Sequence, residues 1–394
     1  MMDLDLFKNY ALQREELLAR IAQSLQLDES RKERMESAYR SVSTVIDSDQ
    51  GFFKDIDVDV YPQGSVASGT TTKPLTGSEF DLDIVVHIKS VYSKYTPNQI
   101  YNELIKVLEI DDRYKDKIVK KKRCVRLKYA NDFHMDIMPG CIKLVVGDNN
   151  IKVPDRELKN WVDSNPKGFV DWFLSKAKTL NKLSLLEEYR RYLVNLKAEV
   201  QDLPNDDFYK KTPLQRAVQL IKRYRDIYFE KDDTYATTSI VLTTLMGQFY
   251  AGENTIYYTL ENIVTKITSG YQSALMSGTR FKVFNPTNPN EDFTDKWTDK
   301  HYENFYSFIM DFHKRWDSIK NSFETGGNDY IRLFGEGVYK QSLQEQVTKM
   351  SKYSSDPISK ANNLIITGKA YTDSKGNINT DSGYRNDTHR NFGE

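Results

Sequence analysis

Two aspartates one residue apart, Asp81 and Asp83, stand in the run Phe80-Asp81-Leu82-Asp83-Ile84-Val85-Val86, which reads as a buried strand. Side chains alternate across a strand, so both carboxylates project from one face. Two like charges held side by side in an apolar setting are costly unless cations neutralise them. Two Mg²⁺ ions would do so, and a two-metal site suits phosphoryl transfer. Upstream, Gln63-Gly64-Ser65 opens a run of small and hydroxyl residues. Gly64 lets the backbone come close to a ligand, and Ser65 offers a hydroxyl and an N–H. A helix starting here would aim its free N–H groups at an anion. The phosphate-binding pattern G-x-x-x-x-G-K-[ST] is absent, so any phosphate site is of another kind. A third acid, Asp136, lies in Phe133-His134-Met135-Asp136-Ile137, where it shares a strand face with His134.

The flanking elements must deliver these groups. Val58 to Tyr61 is a short strand leading into Gly64, and Pro74 to Ser78 is a flexible turn before the acid strand. Thr96-Pro97 opens a helix to about Leu108. Val125 to Tyr129 alternates as a strand, Asn131-Asp132 turns, and the Asp136 segment returns as its hairpin partner. Residues 4 to 24 read as an amphipathic helix. Asp28 or Ser30 caps a second through Met35, Tyr39, Val42 and Ile46. After Trp161 the chain is mostly helical, with candidates at Pro166 to Leu174, Ser184 to Val200 and Ser239 to Tyr250. The clearest is Thr212 to Phe229, capped by Thr212 with Pro213 in its first turn. Its apolar stripe is Leu214, Val218, Ile221 and Tyr228, and Gln215, Gln219, Lys222 and Asp226 form the polar face. Phe281 to Phe284 is extended, Asn285 to Asn290 is a rigid turn, and a helix follows from Trp297 to Ile319. Beyond Gly368 the chain reads as disordered.

With 394 residues the chain has room for two packed domains. Lys plus Arg and Asp plus Glu number 56 each, which argues against strong nonspecific attraction to nucleic acid. Cys124 and Cys141 form no C-x-x-C pattern, so a cysteine zinc site is excluded and a reducing cytosol is expected. The N-terminal sequence has acids where a signal peptide needs a basic region, and no apolar run approaches a membrane span. A cytoplasmic enzyme without membrane contact is the expectation.

The Gly-Ser followed by Asp-x-Asp on a strand resembles the DNA polymerase β-like nucleotidyltransferases. Four segments, QGSVASGT with EFDLDIVV, HMDIMPG, TPLQRAVQLIKRYRD and FNPTNPNEDFTDKW, narrow the resemblance to the cGAS/DncV-like nucleotidyltransferases of bacterial anti-phage cyclic-oligonucleotide signalling. The resemblance spans roughly residues 1 to 320. It implies an α+β fold: a DNA polymerase β-like lobe with a mixed sheet, a helical lobe similar to oligoadenylate synthetase, and a long N-terminal helix bracing both. The implied divisions are 1–160 for the catalytic lobe with its brace helices, 161–350 for the helical lobe and 351–394 for a polar, disordered tail. It implies that Asp81, Asp83 and Asp136 are the catalytic, metal-binding triad. Gln63, Gly64 and Ser65 would hold donor phosphates, with Lys222 and Ser239 contacting the triphosphate from the helical lobe. Two Mg²⁺ ions are implied, with Mn²⁺ as a substitute. The implied reaction condenses nucleoside triphosphates into a cyclic di- or trinucleotide that activates a separate effector. The tail would serve a regulatory partner. The zinc-binding insertion of the vertebrate DNA-sensing member is missing, so no zinc-dependent DNA sensing is expected.

The residues keep other readings open. Asp-x-Asp alone is more often a solvated strand edge, and Asp136 with His134 could be the polar face of an edge hairpin. His134 reads better as a structural neighbour than as a base. Lys222, by itself, is a solvated lysine on a helix, and Thr237 or Thr238 could cap the helix that Ser239 begins. The basic run Lys120 to Arg123 reads as a solvated strand entrance. A nucleotidyltransferase acting on RNA or protein is one alternative, although the neutral chain suggests no basic groove. An inactive nucleotide-binding scaffold is another, although it has no need of all three acids.

Overall fold

The computed structural model describes residues 2–129, 133–144, 149–157, 159–179, 184–186, 210–321 and 326–353, with residues 371–372, 378–379 and 384–385. The chain divides into two compact units, Met1–Gly335 and Glu336–Glu394. The boundary expected near residue 160 falls inside the first.

The first unit begins with helices α1 (Met2–Ser24) and α2 (Glu29–Asp47), the latter capped by the Asp28 carboxylate, which accepts from the Arg31 N–H. Strand β1 (Val58–Pro62) leads into the short helix α3 (Gly64–Ser68), and the acid strand is β2 (Phe80–Val91). Helix α4 (Pro97–Ile110) is capped by the Thr96 hydroxyl. Strands β3 (Ile118–Lys120), β4 (Val125–Tyr129), β5 (Phe133–Ile142), β6 (Ile151–Asp155) and β7 (Asn160–Ser164) follow. The sheet runs β1-β2-β5-β4-β3, with β6 paired to β5 and β7 to β6. Among the described residues, only β2 and β5 of this sheet pair in parallel; the other pairs are antiparallel, so the sheet is mixed. Even-numbered residues of β2, Leu82, Ile84, Val86 and Ile88, are fully buried in a core shared with Val42, Ile46, Ile100 and Leu104. Odd-numbered residues face the other way, and this alternation commits Asp81 and Asp83 to the non-core side.

Helix α5 (Pro166–Lys178) is followed by α6 (Pro213–Tyr228), α7 (Ser239–Phe249) and α8 (Ile256–Met276). After strands β8 (Phe284–Asn285) and β9 (Asn288–Asp292) come α9 (Asp299–Asn321) and α10 (Gly326–Phe334). At the start of α6 the Thr212 hydroxyl accepts from Gln215 N–H while the Gln215 side chain accepts from Thr212 N–H, a full capping box. Helix α1 packs on α6 and α8, and it is pinned to both by polar contacts. Arg216 donates to the carbonyl of Ala19 at 2.7 Å, and the Glu15 carboxylate accepts from the N–H groups of Ile256 and Tyr257 at 2.6 and 3.2 Å. Because α2 packs on α4 and the sheet core, the N-terminal pair ties helices to sheet, as a brace must.

Three sequence expectations change or lapse. Helix α8 carried no expectation, although its stripe Ile256, Leu260, Ile263, Val264, Ile267 and Tyr271 has the helical period; Thr259, Thr265, Thr268 and Gly270 dilute its propensity. In the second unit, helix α11 (Glu336–Tyr353) precedes a three-stranded antiparallel sheet of β10 (Tyr371–Thr372), β11 (Ile378–Asn379) and β12 (Tyr384–Arg385), in the order β11-β10-β12. Within the tail beyond Gly368, for which the composition predicts disorder, the structure describes these six residues as strand. Gly, Asn, Asp and Ser between β-forming Tyr, Thr and Ile are turn chemistry as well as a mark of disorder. The helix expected from Ser184 to Val200 and the turn at Asn131-Asp132 lie outside the described residues, apart from residues 184–186. Among the described residues no helix is long and apolar enough to cross a membrane.

Candidate active site

The parallel register of β2 and β5 sets Asp83 directly beside Asp136, and Asp81 beside His134. Thus the two aspartates of one strand and the third acid of its neighbour share the sheet face turned away from the core. Asp81, Asp83 and the start of α3 line one side of a cavity of about 710 Å³. The opposite side comes from α6, α7 and the segment joining them, including Lys222, Arg225, Thr237 and Ser239.

Gly64 and Asp83 fit together tightly. Gly64 has φ +60°, and a Cβ there would lie 2.5 Å from Asp83 Oδ2. The chain therefore needs glycine for the left-handed backbone and for the approach of the acid. Gln63 N–H donates to the Asp83 carbonyl at 2.8 Å, which ties the entry of α3 to the acid strand. Ser65 sits at the cavity wall, its hydroxyl accepting from Thr71 Oγ1 at 3.3 Å. All three residues singled out in the Gly-Ser segment thus line the cavity beside the acids.

The polar face of α6 is not solvated. Gln215 donates to the Ser68 carbonyl at 3.0 Å, Gln219 to the Thr71 carbonyl at 2.8 Å, and Lys222 to the Thr70 hydroxyl at 3.1 Å. This face grips the backbone that follows α3. Lys222 is only 4% exposed, which removes the reading of a solvated lysine. Burial, reinforced by the Arg225 charge, pulls its ammonium down to about 7. Burial likewise pushes the Asp83 carboxyl up to about 7, with the Asp136 and Asp81 carboxylates adding to the shift. A site that strains both an acid and a lysine in this way is short of the charges a bound ligand and its cations would bring.

Ser239 opens α7 at the cavity wall and accepts from Arg225 Nη1 at 2.5 Å; Arg225 also pairs with Asp226. His134 pairs with Glu79 at 2.6 Å, which fits a structural neighbour. Two cations of the basic run pair locally: Lys122 with Glu157 at 2.5 Å, and Arg123 with buried Asp155 at 3.1 Å.

Sequence reasoning assigned no role in the site to Arg126, Thr70 or Thr237, the last of which read only as a possible helix cap. Thr237 lines the cavity with a buried hydroxyl that has no hydrogen-bond partner among the described residues. Arg126 on β4 stands opposite Asp136 in the antiparallel register. Its Nε and Nη2 donate to Asp136 Oδ1 and Oδ2 at 2.6 and 2.7 Å, and Nη2 also reaches Asp81 Oδ1 at 3.2 Å. A two-residue turn at Asn131-Asp132 would set Leu127 opposite Asp136; the observed register sets Arg126 there, so the pairing was not legible in the sequence.

The donor set suits a hard divalent cation: three carboxylates, with the neighbouring Cys124 thiol hydrogen-bonded to Asp136 and kept protonated by burial and by the Asp136 charge. Among the described residues, however, no three His, Cys, Asp or Glu side chains form a cluster ready to hold a metal ion. Asp136 is engaged through both oxygens and Asp81 through one, all by Arg126. The residues fit a metal in chemistry and in strand register, with Arg126 as the competing cation.

Comparisons with known proteins place the chain among relatives. The family model described as the Second Messenger Oligonucleotide or Dinucleotide Synthetase domain matches residues 13–176. A c-di-GMP synthase of Roseivirga ehrenbergii is 40% identical over 316 residues, covering 80% of this chain and 81% of that protein. The cyclic dinucleotide synthase CdnG of Bradyrhizobium diazoefficiens is 26% identical over 293 residues, 71% of this chain and 69% of its own. The solved structure of that CD-NTase CdnG in complex with GTP superposes with a TM-score of 0.68 at 23% identity, over 84% of this chain and 98% of its own.

Proposed function

Because the chain belongs to the cGAS/DncV-like nucleotidyltransferase family, we propose that it condenses nucleoside triphosphates into a cyclic di- or trinucleotide and releases pyrophosphate. The observation that carries this reading is the placing of Asp81, Asp83 and Asp136 on one sheet face, with Asp81 and Asp83 opening on the cavity beside Gly64-Ser65. Of the possible products, a cyclic dinucleotide of guanosine is the one that the c-di-GMP synthase relative supports.

In each condensation an acceptor hydroxyl attacks the α-phosphorus of the donor. The new P–O bond forms as the bond to the β-phosphate breaks, and pyrophosphate leaves. Asp81, Asp83 and Asp136 are the residues that would hold Mg²⁺, or Mn²⁺ in its place. When bound there, such ions supply the positive charge that the acids and the donor phosphates require. Asp136 helps take the acceptor proton. The Ser65 hydroxyl and the backbone at Gly64 orient the donor phosphates, and Gln63 fixes this segment to the acid strand. Lys222 and Ser239 meet the triphosphate from the far wall. Positioning and electrostatic stabilisation supply most of the rate gain in such a site. The enzyme is assigned to the cytoplasm and to anti-phage signalling, its product acting on a separate effector, with the second unit as the place for a regulatory partner.

The test is incubation of the purified chain with the four triphosphates and Mg²⁺ or Mn²⁺, followed by mass spectrometry. Phosphatase-resistant cyclic product without added polymer supports the proposal. Label transferred to RNA or protein, or no turnover, would replace it.

A further inference from the structure

The acid triad already contains a cation of the chain's own. Arg126 projects from β4 across from Asp136, its side chain 20% exposed and that of Asp136 16%. A guanidinium and a carboxylate in two parallel short bonds form the strongest pairing available to these groups. Here the fork takes both oxygens of Asp136 and reaches a third oxygen on Asp81. Mg²⁺ and Mn²⁺ demand ligand oxygens aimed at one centre. A carboxylate with both oxygens turned to an arginine does not offer them well. We propose that Arg126 is a positioning residue that serves as internal counter-ion of the metal-free triad, and that it must release Asp136 for a divalent cation to be held there. The inference rests on the reading of Asp81, Asp83 and Asp136 as metal ligands.

The arrangement gives the chain two benefits. Without a cation, three carboxylates on one sheet face would repel, and Arg126 offsets that repulsion. Once released, the guanidinium carries a positive charge that a bound triphosphate could match. The cost is weaker metal affinity, because each ion competes with an arginine. Affinity then rises when the donor triphosphate draws Arg126 away, so metal and nucleotide are expected to bind cooperatively.

Mn²⁺ binding to the full chain, followed by electron paramagnetic resonance, tests this without turnover. Binding in the wild type that is lost in Asp83→Asn places the ion at the triad. Given that, Arg126→Met and Arg126→Gln are expected to bind Mn²⁺ at least about tenfold more tightly than wild type. Both should also show a lower melting temperature without metal and a larger upward shift on adding it. Arg126→Lys, with a point charge in place of a fork, should fall between. Equal or weaker Mn²⁺ binding in both neutral variants would overturn the proposal, leaving Arg126 as an orienting neighbour of a loaded site. Mn²⁺ binding that is absent from the wild type and from both neutral variants alike, or unaffected by Asp83→Asn, would overturn the triad reading itself and this inference with it. If Arg126→Met does not fold, a Mn²⁺-soaked crystal of the wild type decides: a bidentate Arg126–Asp136 pair persisting beside bound metal refutes the release.

Discussion

Gly64 and Asp83 occupy one another's space: a β-carbon on Gly64 would lie 2.5 Å from the Asp83 carboxylate, and the glycine backbone is left-handed. The helix start that is to hold phosphate and the acid that is to hold metal are thereby locked at a fixed separation. A side chain cannot be added at Gly64 without displacing Asp83.

Gly64→Ala should therefore cost more than its backbone strain. Left-handed backbone in a non-glycine residue costs roughly 1–3 kcal/mol, and Asp83 must also shift. Turnover is expected to fall at least about tenfold, with a folded protein remaining. Gly77→Ala is the control, since Gly77 has φ +85° but a β-carbon added there would meet no atom within 4 Å. It should show the strain in its melting curve and near-normal product formation. Equal activity losses in the two variants would refute the lock.

Asp81→Asn with Asp83→Asn should abolish product formation and leave the fold intact. The two carboxylates share a face with Asp136, and Asp83 is held near neutrality by burial and by its acidic neighbours. Removing the charges relieves repulsion, so the metal-free variant should melt no lower than wild type. Normal turnover in a folded double variant would end the nucleotidyltransferase reading.

Much of this site was legible because strand alternation is a strict rule. Asp81, Asp83 and Asp136 could be assigned to faces from their spacing, and Thr212-Pro213 marked the start of α6. What the chain's local pattern does not encode is which polar face meets which backbone. The Gln215, Gln219 and Lys222 stripe looks the same whether it faces water or the Ser68 and Thr71 carbonyls and the Thr70 hydroxyl, and only the packing of α6 against the chain after α3 decides. Arg126 was missed for a related reason: in Val-Arg-Leu-Lys-Tyr it is one of two alternating cations, and the hairpin register alone distinguishes it. Helix α8 escaped because its threonines and glycine obscured a regular apolar stripe.

The N-terminal brace makes a pH prediction. Glu15 is 1% exposed, and burial raises its carboxyl to about 7, against the lowering effect of the Ile256 and Tyr257 N–H groups. In the unfolded chain it titrates near 4.5. Its contribution is thus fully present below about pH 4.5 and is lost as pH rises through about 7, because folding must then bind a proton or bury a charge. Glu15→Gln removes that titration while keeping one acceptor for α8. Urea midpoints should show wild type gaining on the variant from pH 7 down to pH 5, and the difference should be flat above pH 8. A difference independent of pH would show that Glu15 is ionised in the fold.

Lys222 is the last test, because two roles compete for it. It lines the cavity opposite the acids, yet its ammonium donates to the Thr70 hydroxyl, so it could clamp phosphate or merely fasten α6 to the chain after α3. A triphosphate carries more negative charge than ions shared with three acids can offset, so a cation on the far wall has work to do. A charge-assisted hydrogen bond contributes roughly 1.5–3 kcal/mol, about 10- to 150-fold in the relevant constant. Lys222→Ala should therefore raise KM for nucleoside triphosphate by at least about tenfold, with kcat less affected where the contact is equal in ground and transition states. Thr70→Val separates the roles. It removes the hydroxyl partner and leaves the ammonium free to turn toward phosphate, so a clamp predicts KM near or below that of wild type. A fastening role predicts that Thr70→Val and Lys222→Ala lose stability and activity alike. In that case Arg225, which lines the same wall and donates to Ser239, becomes the cation that meets the triphosphate.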